Sequence, residues 1–154
     1  MPEEEYVWLP HPQFLRFEEL ATIAHVFVGL GVDRIRLTGG EPLMRRDLPV
    51  LVRLLAEVPG IRDLALTTNG VMLADHADAL FDAGLQRITV SLDTLRPERF
   101  RAITRRDSLP AVQKGIATAA HAMARHGRVG LKLDSVVQRG VNDDELDDLL
   151  AFGR

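Results

Sequence analysis

Between residues 17 and 31 the apolar positions Leu20, Ile23, Ala24, Phe27 and Leu30 fall three and four apart, the spacing that lines one face of an α-helix, and Gly31 supplies a stop. The period then shortens to two: over 33–38, Ile35 and Leu37 alternate with Arg34, Arg36 and Thr38, which predicts a strand. Asp47 is placed to cap a helix that tolerates Pro49 in its first turn and ends before Pro59-Gly60. A strand over 62–68, a turn at Asn69-Gly70, a helix over 73–83 and a strand over 86–92 follow. A short helix starts near Pro97 and carries Phe100 and Ile103; Ser108 and Pro110 open a longer one that runs to 126. The last strand is predicted over 129–137, and Asn142-Asp143-Asp144-Glu145 has the spacing of a capping box that starts a final helix. Residues 1–16, with Pro2, Pro10 and Pro12, read as an irregular lead-in. Strands that alternate with helices and lack hairpin-length connections imply right-handed crossovers and a parallel sheet, hence an α/β fold.

Parallel strands covered on both sides read as near-continuous apolar runs. These strands instead each carry one polar face: Arg34, Arg36 and Thr38; Thr67 and Asn69 beside Ala65; Thr89, Ser91 and Asp93; Lys132 and Asp134 beside Gly130. With the apolar faces against the helices, the polar faces meet on the concave side of a curved sheet. Their ligand-competent members lie toward the strands' C-terminal ends, where barrel-type folds keep their sites. Arg36 and Lys132 with the hydroxyls of Thr67 and Ser91 suit a polar anionic ligand such as a nucleotide. Each residue also has a plainer reading: an arginine in a strand fits an edge or snorkelling role, Thr67 fits the start of a turn, and Lys132 fits a solvent-facing position.

The first strand closes on Thr38-Gly39-Gly40-Glu41-Pro42. Pro42 lacks the N–H that a strand needs, so the chain turns. Two residues without a Cβ let a ligand sit on the backbone, and Glu41 adds a carboxylate beside that bare surface. The same residues fit a strand-to-helix turn with no ligand at all.

Composition narrows the chemistry. At 154 residues, 46% hydrophobic and 27% charged, the chain has the makings of one soluble domain with a single core. Its net charge of −3 gives no global basic field for nucleic acid or a membrane surface, so an anionic ligand must be held by local cations. No apolar run reaches the roughly 18–20 residues that span a bilayer, and the acidic opening Glu3-Glu4-Glu5 is unlike a signal peptide, which gives a cytoplasmic expectation. There is no cysteine, which excludes disulfides, thiolate metal sites and cysteine nucleophiles within these residues. No histidine pair has metal-ligand spacing and no phosphate-loop motif is present, so neither a metal site nor a catalytic side chain is assigned.

Four motifs in order, Arg36-Leu37-Thr38-Gly39-Gly40-Glu41-Pro42, Leu66-Thr67-Thr68-Asn69-Gly70, Thr89-Val90-Ser91-Leu92-Asp93-Thr94, and Lys132 followed by Arg139-Gly140-Val141-Asn142-Asp143, make the chain resemble the radical S-adenosylmethionine (SAM) enzymes. Among these it is most similar to the GTP 3′,8-cyclases, which convert GTP to the cyclic pyranopterin precursor in molybdenum cofactor biosynthesis. The resemblance implies a partial TIM-type (β/α) barrel: four parallel strands of a six-stranded half-open barrel, with residues 1–154 a single incomplete core domain lacking the first and last barrel strands. It implies GTP contacts at Arg36, Thr67 and Lys132, and SAM contacts at Gly40 and Ser91, with Gly39 and Glu41 in support. It also implies a [4Fe–4S] cluster held by a Cys-x-x-x-Cys-x-x-Cys segment that is not in these residues; in the family its last cysteine directly precedes a Met-Pro, and this chain begins at Met1-Pro2. Asp134 stands where the family pattern commonly has Asn. The implied partners are GTP and the next enzyme of the molybdopterin pathway, and unpaired strand edges predict oligomers or aggregation. Two function classes follow: an enzyme lineage whose 154-residue piece is inactive alone, and a cluster-free nucleotide-binding or interaction domain.

Overall fold

A computed structural model describes residues 13–154. The lead-in expected over 1–16 therefore lies mostly outside the described residues. Helix α1 (Phe17–Gly29) is followed by β1 (Arg34–Leu37), α2 (Leu48–Ala56), β2 (Asp63–Thr68), α3 (Leu73–Asp82), β3 (Arg87–Ser91), α4 (Pro97–Thr104), α5 (Leu109–Arg125), β4 (Leu131–Asp134) and α6 (Leu146–Phe152). The strands form one open parallel sheet in the order β1-β2-β3-β4, the arrangement expected of a partial TIM-type barrel. Each strand is one to five residues shorter than its alternating pattern. The trimming is greatest in β4, where Val129, Val136 and Val137 are exposed and the ladder covers only Leu131–Asp134.

The apolar faces meet the helices as their alternation requires. Leu64, Leu66, Ile88, Val90 and Leu92 pack with Val52, Leu55, Leu73, Leu80 and Val112 into one core. Fully burying a side chain of this size contributes about 1.5–3 kcal/mol, so this layer is the main stabilising element. Gly70 shows how closely it is packed: its φ is 79°, and a Cβ there would come within 2.8 Å of Val90 Cγ1. The turn after β2 thus needs glycine both for its backbone and for its space.

Three local readings differ from the structure. Asp47 does occupy the N-cap of α2, but at φ 58° and without a side-chain cap hydrogen bond. The chain enters α2 from the 3-10 turn Pro42–Met44, and the left-handed backbone at Asp47 departs from the extended conformation in which an N-cap side chain bonds the N2 or N3 N–H. Ser108 likewise precedes α5 without capping it, and its hydroxyl is buried with no hydrogen-bond partner. The capping box at 142–145 does not form. A 3-10 turn (Asp143–Glu145) precedes α6, and both Asn142 and Glu145 point inward to other partners, described below.

β1 and β4 are the edges of the sheet. Beside β1 an apolar groove of about 280 Å³ runs between α1 and the sheet, lined among others by Ile23, Phe27, Ile35 and Leu37, and Leu30 is 76% exposed. Unpaired edges flanked by apolar surface favour association. Sedimentation velocity on the purified chain is expected to show species that grow with concentration; one monomeric boundary throughout would contradict this.

Candidate functional site

The site begins at Arg36, the third residue of β1. Its Cα partner on β2 is Ala65, whose small side chain leaves room for the guanidinium to lean inward over the sheet. Arg36 Nη1 donates to Thr67 Oγ1 at 3.0 Å and to Thr89 Oγ1 at 3.3 Å. Thr67 and Thr89 are register partners, and Thr89 pairs in turn with Lys132. β1 and β4 stand three strand spacings apart, roughly 14 Å. Because Arg36 reaches as far as Thr89, its charge and that of Lys132 flank the same central position. The expected residues Arg36, Thr67 and Lys132 are thus brought to one face, with Arg36 tied down by two hydroxyls and Lys132 exposed. Thr89, only 6% exposed at the centre of this face, was not among the expected site residues. The alternation of β3 placed it on the polar face, and its bond to Arg36 gives it a part in the site.

One pleat step further on, Ser91 is exposed at the end of β3 and pairs with Asp134, which is also exposed. At the end of β1, Gly39 and Gly40 are exposed; Gly39 has φ 150° and nothing lies within 4 Å of the place its Cβ would occupy. The backbone at Gly39 is therefore uncovered. Glu41 has a different task from the one its position suggests. Its carboxylate accepts from Leu43 N–H at 3.1 Å, Thr68 Oγ1 at 2.7 Å and Asn69 N–H at 2.8 Å. Both oxygens are used by the protein itself, so Glu41 braces the glycine turn against the end of β2.

Lower on the same face Arg87 pairs with Asp63, donating from Nε at 2.7 Å and from Nη2. The pair holds Arg87 protonated more firmly than usual through the hydrogen bond and charge of Asp63. With Arg34, Arg36 and Ala65 it lines a shallow depression of about 260 Å³ near the N-terminal ends of the strands.

The mouth of the face is stitched by residues that sequence spacing assigned to a cap. Asn142, 1% exposed, donates from Nδ2 to Asp93 O at 2.7 Å and Val136 O at 3.0 Å, and accepts from Gln138 N–H at 2.7 Å. Glu145 has no exposed surface; it accepts from Thr94 Oγ1 at 2.6 Å and Leu95 N–H at 2.8 Å and pairs with Arg99. Burial pushes the Glu145 carboxyl upward, but the Thr94 hydroxyl, the Leu95 N–H and Arg99 outweigh it and hold the group below its ordinary value. A hydrogen bond from Arg99 lowers Asp144 as well. Among the described residues no group of three or more His, Cys, Asp and Glu is placed to hold a metal ion.

Comparison with known proteins adds a second line of support. The family model described as the Radical SAM superfamily matches residues 4–153. The chain is 52% identical over 158 aligned positions to GTP 3′,8-cyclase 1 of Mycobacterium tuberculosis (strain H37Rv), with 100% of this chain and 43% of the relative covered. It is 49% identical over 159 positions to GTP 3′,8-cyclase of Acidothermus cellulolyticus, with the same coverage, and 48% identical over 144 positions to that of Moorella thermoacetica, with 94% of this chain and 43% of the relative covered. The chain thus spans less than half the length of these curated relatives.

Proposed function

This chain belongs to the radical SAM superfamily, and on that premise we propose that it carries the substrate- and SAM-facing wall of a GTP 3′,8-cyclase acting in molybdenum cofactor biosynthesis. Arg36, Thr67 and Lys132 hold GTP, with Thr89 fixing the Arg36 guanidinium. Gly40 and Ser91 hold SAM, with Gly39 and Glu41 shaping the turn. The observation that carries the reading is the Arg36 guanidinium spread over two threonine hydroxyls opposite Lys132. A tethered guanidinium and an exposed ammonium on one face of the sheet create a local positive potential that the net charge of −3 does not. No helix among the described residues is long and apolar enough to cross a membrane; the proposed work is cytoplasmic, and its product passes to the next enzyme of the molybdopterin pathway.

The family's cofactors are SAM and a [4Fe–4S] cluster. The bare backbone at Gly39 and the exposed Ser91 hydroxyl fit SAM, which would supply a 5′-deoxyadenosyl radical to act on GTP, with methionine released, only on receiving one electron from a reduced cluster. The cluster does not fit these residues, since none of the 154 is a cysteine and no metal-ligating group is assembled among the described ones. What this chain does is therefore binding and orientation: Arg36 and Lys132 neutralise phosphate, the strand ends set the separation of the two ligands, and the covered apolar face keeps the sheet rigid beneath them. The absence of cysteine also favours a second reading, a nucleotide-binding or interaction domain that uses the same face without its own cluster.

Two measurements test these readings. Replacing Lys132 by alanine is expected to weaken GTP binding by about fivefold to tenfold, in line with loss of one exposed charge-assisted contact to phosphate; unchanged affinity would remove Lys132 from the site. Anaerobic treatment of this chain with iron and sulfide is expected to yield no protein-bound iron–sulfur absorbance; a stable cluster would overturn the reading that these 154 residues hold no cluster ligands.

A further inference from the structure

The ties between the end of β3 and the segment after β4 are unusually complete for a short edge strand. Ser135 Oγ donates to Leu92 O, Val136 N–H donates to Asp93 Oδ1 at 2.8 Å, Asn142 Nδ2 bridges Asp93 O and Val136 O, and Glu145 takes the Thr94 hydroxyl and the Leu95 N–H. Two of these groups, Asn142 and Glu145, are buried polar side chains whose desolvation is costly unless every partner is met, and here the partners are met. None of them adds apolar packing. They fix where the β3 and β4 ends lie relative to one another.

Ser91 is two residues before Asp93, and Lys132 is three residues before Ser135. β4 is only four residues long and has a neighbour on one side alone, so its own ladder gives little resistance to fraying. We propose that Asn142 and Glu145 are positioning residues that set the distance between Ser91 on the SAM side and Lys132 on the GTP side. The proposal rests on the site reading given above, and deepens it: the two ligands are held in register by a clamp that touches neither.

The test compares Asn142→Asp with Asp63→Asn in this chain. The first keeps the side chain's shape and its acceptor for Gln138 N–H but removes both Nδ2 donations. The second loosens the Arg87–Asp63 pair at the opposite ends of β2 and β3 and serves as a control for general destabilisation. SAM and GTP are titrated separately by calorimetry, and thermal melts are recorded in parallel. Asn142→Asp is expected to weaken SAM binding by about fivefold or more, the size of a typical coupling through packed elements. Asp63→Asn is expected to leave SAM binding within about twofold even where its melting temperature falls as far. If Asn142→Asp does not fold, Glu145→Gln takes its place, since it retains an acceptor for Leu95 N–H. Unchanged SAM affinity in the clamp variant, or an equal loss in the control, would overturn the proposal while leaving the site intact. No SAM or GTP binding by the parent chain would overturn the site reading and the clamp together.

Discussion

Replacing Arg36 by alanine is expected to weaken GTP binding by tenfold or more. A charge-assisted hydrogen bond contributes about 1.5–3 kcal/mol, and about 1.4 kcal/mol is a factor of ten in affinity. Arg36 also has less ordering entropy to lose than a free surface arginine, because Thr67 and Thr89 already hold its guanidinium over the face. The converse variant is Asp134→Asn. Asp134 is exposed at the end of β4, two residues beyond Lys132, and its negative charge opposes a phosphate there. Its neutralisation is expected to strengthen GTP binding, with the larger gain at low salt, where screening is weakest. If Arg36 were only an edge residue covering the sheet, neither substitution would move GTP affinity, and calorimetric titration of the two variants separates these outcomes.

Glu145→Ala is expected to be the most destabilising single change at the mouth of the sheet. It leaves the buried Thr94 hydroxyl and the Leu95 N–H without their acceptor and leaves Arg99 paired with Asp144 alone. Each buried donor left unmet costs about 1–3 kcal/mol, so the two together cost about 2–6 kcal/mol. At the lower end this corresponds to a fall of about 4–8 °C in melting temperature for a chain of this size. The pH dependence has a fixed sign. The folded carboxyl titrates below its ordinary value of 4.5, because the three donors outweigh the effect of burial. A carboxylate lowered on folding contributes stability above its unfolded pKa and loses it as pH falls through the folded one. The parent chain should therefore lose stability on acidification below about pH 4.5. Glu145→Gln should show a shallower slope there, and identical slopes in the two would assign the acid sensitivity elsewhere, Asp144 being the next candidate.

The order and type of the elements from α1 to β4 were legible from periods of two or of three to four and from the glycines and prolines between them, whereas α6 was placed by a capping-box spacing that does not form. The polar face was legible for the same reason: strict alternation in four parallel strands is unusual unless one face is kept for something other than core. What spacing could not reveal was which polar residue meets which. Asn142 through Glu145 reads identically whether it caps a helix or turns inward, and only the arrival of Thr94, Leu95 and Arg99 from another part of the chain decides between them. Glu41 is a similar case, since nothing local to the glycine turn announces that Thr68 and Asn69 will take up its carboxylate. Arg36 could be placed on a face from sequence, but its distinction from a snorkelling arginine rests on two hydroxyls that are 31 and 53 residues away along the chain.

The most direct measurement of the central claim is to locate bound GTP on the isotopically labelled chain by amide chemical shifts. Addition of GTP is expected to move the resonances of Arg36, Thr67, Thr89 and Lys132 first, across the polar face of the sheet, and to leave α3 and α5 unchanged. Shifts confined to α4, where Arg99 and Arg101 follow the N-cap Arg96, or no shifts at GTP concentrations that saturate the calorimetric signal, would contradict it.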